Sequence, residues 1–484
     1  MTDSSFPMPS SSPAAQGVDA RGIRDFLDAA ELLGLDLHSL AIGRHGHVVA
    51  AGWWTPYAAN RVHLGYSLSK SLTATAVGFL VTDGLLSMDD PLVDHLPVDT
   101  EALDPRWRAV RVRDALSMTL GHTEDLWIPD DVMTGPADAG GPDLLFSFAL
   151  SVPPEVEPGT FFTYNQRATY LVARAVEQVS GRTVPEILRT RLLEPLGLPA
   201  IPWHTDPNGH PLGFSGAHVP TATILSLAQL YLDGGRWLGE QLLDAAWVAE
   251  AVRSQAPPST DPGAETDWRL GYGWSFWQAR HGYRGDGAFG QYAIVLPGQD
   301  AVVAITSEVD DMQAVLDLVW EHLLPALGDG ATADPSADAA LADRLRTLAQ
   351  PVPTTVGECP AYGDGPWSFE RAGGDLPSAY AGLRVERSAG GWVLGLPRGG
   401  DHIVVPCGDG SWVGSVQPFG EGALAVEAAG GWSDDGHFRA ELLLVNTPHR
   451  ILLDADPGTG AVSAGWRRLP LMGEDPAALV VAPA

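Results

Sequence analysis

The chain has 484 residues, 45% of them hydrophobic and 18% charged, too long for one ordinary domain and too apolar for wholesale disorder. Sixty acidic against 29 basic residues leave a formal charge of −31, which repels nucleic-acid phosphates and anionic membrane surfaces and argues against either as a partner. No run reaches the roughly 18 uninterrupted apolar residues of a membrane-spanning helix, the opening MTDSSFPMPSSSPAAQG lacks the marks of a secretion signal, and Cys359 and Cys407 are too few for a disulfide framework or a thiolate metal site, so a soluble chain in a reducing cytoplasm is expected.

Residues 1–18 read as a disordered tail. Asp19 caps a helix carrying Ile23, Phe26, Leu27, Ala30 and Leu33 at helical spacing, and Gly34 ends it. Leu37 to Ile42 and Val48 to Trp53 read as strands joined by Gly43-Arg44-His45-Gly46. Ser67 to Leu80, apolar and rich in small residues, reads as a buried helix ending near Gly84. Residues 100–250 are mostly helical, including Tyr170 to Val179, Val184 to Leu193 and Thr223 to Leu232. Strand periodicity returns at Gln291 to Leu296 and Val302 to Thr306, followed by a helix with Met312, Val315, Leu316, Val319 and Leu323. This succession predicts an α+β domain over residues 19–327. Residues 328–350 read as a linker with a short helix, and 351–484, with short strands separated by Gly, Pro and Asp, as a β-rich barrel or sandwich.

The 29 basic residues are 28 arginines and one lysine, Lys70. Arginine stays protonated at ordinary pH, whereas a buried lysine can lose its proton and act as a base. Ser67 and Lys70 stand at i and i+3, on one helical face and within reach of each other. A helix starting at Ser67 also brings its free N–H and the positive end of its dipole to the place where an oxyanion forms. The competing reading is that Ser67 or Ser69 merely caps the helix, with Lys70 solvated.

The segments YSLSKSLTATAVGFLVTDGLLSMDDPLVDHLP, VRVRDALSMTLGH and PGTFFTYNQRATYLVARAVEQVSG together resemble the serine β-lactamase and DD-peptidase superfamily, in particular the class C-related branch with its D-aminopeptidases, family VIII carboxylesterases and nylon-oligomer hydrolases. The resemblance spans about residues 20–327. It implies an antiparallel sheet flanked by helices with an inserted helical subdomain, Ser67 as the acylated nucleophile, Lys70 as its proton acceptor and Tyr164 as the second acid/base group. A phenol beside a protonated lysine is expected to release its proton more easily.

The chain departs from that pattern in two places. The asparagine expected two residues after the tyrosine is Gln166, preceded by Asn165; by register Gln166 takes the carboxamide role, with Asn165 as the alternative. The third motif, a basic residue followed by Ser or Thr and Gly, falls on Gly285-Asp286-Gly287, which makes the N–H of Ala288 the second oxyanion donor. The basic anchor for a substrate carboxylate is gone, with Arg284 or His281 as stand-ins. This favours neutral esters or amides. A β-lactamase, a D-amino-acid peptidase or a catalytically weak binding protein of the same fold are the alternatives.

Other motifs yield less. Gly285-x-Gly287-x-x-Gly290 matches a dinucleotide fingerprint, but a strand follows it and no helix N-terminus is offered to a pyrophosphate. Gly65-Tyr66-Ser67-Leu68-Ser69 falls one residue short of a nucleophile elbow, leaving Ser67 with a distant His and Asp as the runner-up mechanism. The histidines show no zinc spacing, and neither metal nor cofactor is expected. Trp53, Trp54 and Trp127 are candidates for lining an apolar cleft or for core packing.

Overall fold

The computed structural model describes residues 6–125, 128–129, 132–133, 143–259, 265–328, 330–356, 365–399, 401–419 and 422–482. They form two units, one comprising the residues up to Trp53 with Leu64–Leu348, the other Trp54–His63 with Ala349–Ala482.

In the first unit, Asp19 accepts from Arg21 N and starts α1 (Ala20–Leu32), whose Ile23, Phe26, Leu27 and Ala30 are buried. Each large apolar side chain removed from water on such a face contributes roughly 1.5–3 kcal/mol. Strands β1 (Leu37–Arg44) and β2 (His47–Trp53) follow as a hairpin. Then come helices α2 (Leu68–Thr82), α3 (Gln166–Ser180) and α4 (Thr221–Leu232), strands β3 (Trp277–Ala279), β4 (Gly282–Gly287), β5 (Gln291–Leu296) and β6 (Ala301–Ser307), and helices α5 (Met312–Leu318) and α6 (Pro335–Arg346). The strands make a six-stranded antiparallel sheet in the order β2-β1-β6-β5-β4-β3, so the N-terminal hairpin pairs with the C-terminal strands, Ile42 opposite Val303. Helix α4 lies on β1, β5 and β6, and α2 on β4 and β5. Leu68 through Leu80 of α2 are all buried, the polar Ser69, Lys70, Ser71, Thr73 and Thr75 included, so this helix is packed on every side.

Two expectations change. Residues 6–18 are an ordered strap rather than a disordered tail: Phe6 and Met8 are buried, Ser10 bridges Val48, and Ser11 N donates to Val48 O at 2.9 Å. The open edge of β2 supplies backbone partners and the two apolar side chains supply burial, which a polar-looking sequence concealed. The expected linker contains α6, which belongs to the first unit. Arg344 pairs with Glu31 and Asp28 of α1, and Leu345 and Leu348 occupy the space over Gly52 that a side chain there would need.

The second unit is all-β. Strands β7 (Trp367–Gly373), β8 (Gly382–Ser388), β9 (Gly391–Arg398), β10 (Asp401–Gly408), β11 (Val413–Phe419), β12 (Gly422–Trp432), β13 (Phe438–Leu444), β14 (Arg450–Asp456) and β15 (Ala461–Trp466) run in the order β10-β9-β8-β7-β15-β14-β13-β12-β11. The sheet closes barrel-like where Gly408 of β10 pairs with Ala429 of β12, with β11 paired to β12 alone. Trp432 meets Trp367 at 5.1 Å and Phe438 at 5.4 Å between ring centroids, an aromatic core with edge-on contacts. Cys407 is buried and free, while Cys359 lies outside the described residues. Among the described residues no helix is long and apolar enough to cross a membrane.

Candidate active site

The site begins at the entry to α2. Gly65 N donates to Ala217 O (2.8 Å) and Gly65 O accepts from Leu68 N (3.0 Å), so the chain turns sharply into the helix. Tyr66 takes a left-handed conformation, φ +46°. Ser67 occupies the N-cap position, yet its side chain makes no capping bond. Its hydroxyl lies 3.0 Å from Lys70 Nζ instead, and it also bonds the Tyr164 phenol. The helix-cap reading of Ser67 therefore fails on its hydrogen bonds. Other polar residues of α2 tie down surrounding loops: Ser69 Oγ accepts from Ala217 N (3.0 Å), Ser71 Oγ donates to Ser275 O (2.7 Å), and Thr73 Oγ1 donates to Gly213 O (2.9 Å).

Lys70 is 1% exposed. Its Nζ lies 2.7 Å from Gln166 Oε1 and 2.9 Å from Phe214 O. Burial lowers its pKa to about 7 against the opposing pull of the Asp125 and Asp286 carboxylates. A neutral amine has two hydrogens and one lone pair. Gln166 Oε1 and Phe214 O only accept, so they take both hydrogens and leave the lone pair for the Ser67 hydroxyl. Nothing in the residues 214–217 marks Phe214 as a partner, because the contact runs through its backbone carbonyl.

Tyr164 lies beside Lys70, with Nζ 4.7 Å from the ring centroid, and Trp277 of β3 stacks on the ring at 5.3 Å and 22°. Tyr272 meets it edge-on at 6.0 Å. Burial first, then the charges of Asp286 and Asp125, push the phenol above its ordinary pKa, and the bond with Ser67 only partly offsets this. The expectation of an easily released proton is thus reversed: Tyr164 stands as a neutral phenol. Neither Trp277 nor Tyr272 carried a sequence signal beyond being aromatic.

The two carboxamides have separate jobs. Asn165 caps α3, accepting from Arg167 N at 2.9 Å, while its Nδ2 meets His122 Nδ1 at 3.1 Å. The other nitrogen of His122, Nε2, is 2.8 Å from Val152 O, which fixes the proton there and leaves Nδ1 as the acceptor. Gln166, one residue on, holds Lys70 and keeps its own amide hydrogens for other partners.

Strand β4 delivers the third motif. A Cβ on Gly287 would fall 2.1 Å from Gly65 O and 3.1 Å from Leu68 N, and one on Gly285 would fall 2.7 Å from Ser71 Oγ. The strand therefore lies directly on the turn into α2, an approach only glycine permits. Among the described residues neither Ser67 N nor Ala288 N has a backbone acceptor, and Ala288 directly follows the Gly287 that lies against the turn into α2.

Arg284 does not serve as a substrate anchor. Side chains alternate along a strand, so Arg284 points away from the face where Gly285 and Gly287 meet α2. It is fully buried, with Nε 3.0 Å from Asp286, Nη1 bonded to Gln278 O (2.9 Å) and Asp267 O (3.2 Å), and Trp268 under the guanidinium at 4.5 Å. His281 is exposed in the turn at the opposite end of β4, against Trp320. Among the described residues no histidine bonds Ser67. Of the tryptophans, Trp53 bonds Thr221 Oγ1 (3.2 Å) and packs on Phe6, Trp54 is buried in the second unit, and Trp127 lies outside the described residues. The Gly285–Gly290 segment is the end of β4 and a turn, and strand β5 follows it, with no helix for a dinucleotide.

Comparison with known proteins adds relatives to this geometry. The family model described as Beta-lactamase matches residues 23–326. Penicillin-binding protein 4 of Amycolatopsis lactamdurans is 29% identical over 307 residues, covering 56% of this chain and 77% of that protein. The 6-aminohexanoate-dimer hydrolase of Paenarthrobacter ureafaciens is 25% identical over 282 residues, covering 55% and 71%. The crystal structure of SurE, 20% identical, covers 94% of this chain and 98% of its own with a TM-score of 0.50, a likeness of fold that extends through the second unit.

Proposed function

The chain belongs to the β-lactamase family, and from that premise we propose that it is a serine hydrolase that cleaves small neutral esters or amides through an acyl-enzyme on Ser67. The observation that carries this reading is the setting of Lys70, whose two amine hydrogens are taken by Gln166 Oε1 and Phe214 O at 2.7 and 2.9 Å while Ser67 Oγ lies 3.0 Å away. A buried amine with a pKa of about 7 is a competent base at neutral pH.

In acylation Lys70 takes the Ser67 proton as Oγ attacks the carbonyl carbon. The resulting oxyanion is held by the N–H groups of Ser67 and Ala288. The neutral Tyr164 phenol donates its proton to the departing alcohol or amine and is restored from the Lys70 ammonium, so the Ser67 proton leaves with the product. Water then attacks the acyl-enzyme, gives up a proton along the same path, and releases the acid and free Ser67. In this reading Gln166 Nε2 donates to an acyl-side carbonyl.

The neutral-substrate preference follows from charge. Arg284 is engaged by Asp286, Gln278 O and Asp267 O, so it is not available to pair with a substrate carboxylate. The names of two relatives, a penicillin-binding protein and a 6-aminohexanoate-dimer hydrolase, are consistent with acyl transfer at such a serine. Lys70→Arg tests the mechanism, because it keeps the charge and removes the base. Turnover of p-nitrophenyl acetate is expected to fall by roughly 10²–10⁴-fold with the melting transition still cooperative. Retained turnover in that variant contradicts the proposal.

A further inference from the structure

Of the seven non-glycine residues with positive φ among the described residues, three (Tyr66, Ser275 and Phe289) belong to segments that build the site. Such conformations are unfavourable for side chains with a Cβ and persist only where the surroundings enforce them. Tyr66, at φ +46°, immediately precedes Ser67, and Phe289, at φ +65°, immediately follows Ala288. Glycine would adopt either conformation without penalty. The chain nonetheless places an aromatic ring at both positions, and the two rings meet at 5.3 Å between centroids.

We propose that Tyr66 and Phe289 form a clasp that sets the width of the oxyanion hole, an inference that rests on the acyl-enzyme reading above. The two donors come from separate elements, Ser67 from the entry to α2 and Ala288 from the turn between β4 and β5. Those elements meet at two points that bracket the donors. One is the backbone approach of Gly287 to Gly65 O and Leu68 N, and the other is the Tyr66–Phe289 ring contact. The Phe289 side of the clasp is anchored in turn: its carbonyl accepts from Ser307 Oγ (2.7 Å) and Val309 N (3.1 Å), and the Ala288 carbonyl accepts from Gln291 Nε2 (3.1 Å). These bonds fix the backbone of the turn, and among the described residues Ala288 N has no backbone acceptor. Tyr66 is 2% exposed and cannot swing away, whereas Phe289 is half-buried. Phe289 is therefore a positioning residue, acting on the reaction through the direction of the Ala288 N–H.

The test separates ring from strain. Phe289→Gly removes the ring and relieves the left-handed strain, while Phe289→Tyr keeps the ring. Pre-steady-state release of nitrophenol from p-nitrophenyl acetate gives the acylation rate constant, with KM and the melting temperature measured alongside. The clasp predicts that Phe289→Gly melts at or above the temperature of the native chain yet acylates on the order of 10- to 100-fold more slowly, with KM within about twofold. Phe289→Tyr is expected to remain within about threefold of the native rate. Unchanged acylation in Phe289→Gly, or a loss confined to KM, overturns the clasp while Ser67-dependent turnover leaves the hydrolase reading in place. A native chain without Ser67-dependent turnover removes the hydrolase reading and the clasp with it.

Discussion

In the proposed mechanism Lys70 is the base, and its burial carries a thermodynamic signature that does not depend on any substrate. Its amine is held at about 7 in the fold against an ordinary value of 10.5, burial being the main cause and Asp125 and Asp286 working against it. Between those pH values the unfolded chain binds more protons than the folded one, so folding stability rises with pH from 7 towards 10.5. The gap corresponds to about 5 kcal/mol. Lys70→Met has no such group. Thermal melts of both proteins between pH 7 and pH 10 are expected to show the native chain gaining stability relative to the variant as pH rises, and a pH-independent difference would mean that Lys70 is charged in the fold. At this scale much was legible in the sequence, since a single lysine three residues after a serine is a compositional signal that needs no structure. Tyr164 and Gln166 followed from flanking motifs. Arg284 misled because a sequence gives an arginine's charge but not which face of a strand it occupies, and here the inward face pairs it with Asp286.

At the scale of elements, the decisive contact is between β4 and the turn into α2. A Cβ at position 287 would lie 2.1 Å from Gly65 O, closer than any side chain tolerates, so Gly287→Ala must drive the strand and the turn apart. The Ala288 N–H moves with the strand. Acylation of Ser67 in Gly287→Ala is expected to fall by roughly 10²-fold or more, the loss typical of a missing oxyanion donor, while the six-stranded sheet preserves its circular-dichroism signature. A variant that acylates at the native rate would place the second donor elsewhere. The main helices and strands of the first unit were readable from apolar spacing and turn residues. The N-terminal strap was not, because Phe6 and Met8 are isolated among prolines and serines and gain burial only from a sheet edge formed by residues far along the chain. The assignment of Trp54–His63 to the second unit was equally hidden, since the ring of Tyr57 packs with Leu443 and Val445 almost 400 positions further on.

For the whole molecule, the proposed preference for neutral substrates rests on the formal charge of −31 and on an Arg284 already paired with Asp286, and acylation by a carboxylate-bearing lactam is the competing outcome. The two are separated by the mass of the intact protein after mixing with p-nitrophenyl acetate or with benzylpenicillin, beside Ser67→Ala. The acyl-enzyme account predicts a transient gain of one acetyl group with a matching burst of nitrophenol, both lost in Ser67→Ala, and little or no penicillin adduct. No Ser67-dependent adduct and no turnover with the ester would contradict it.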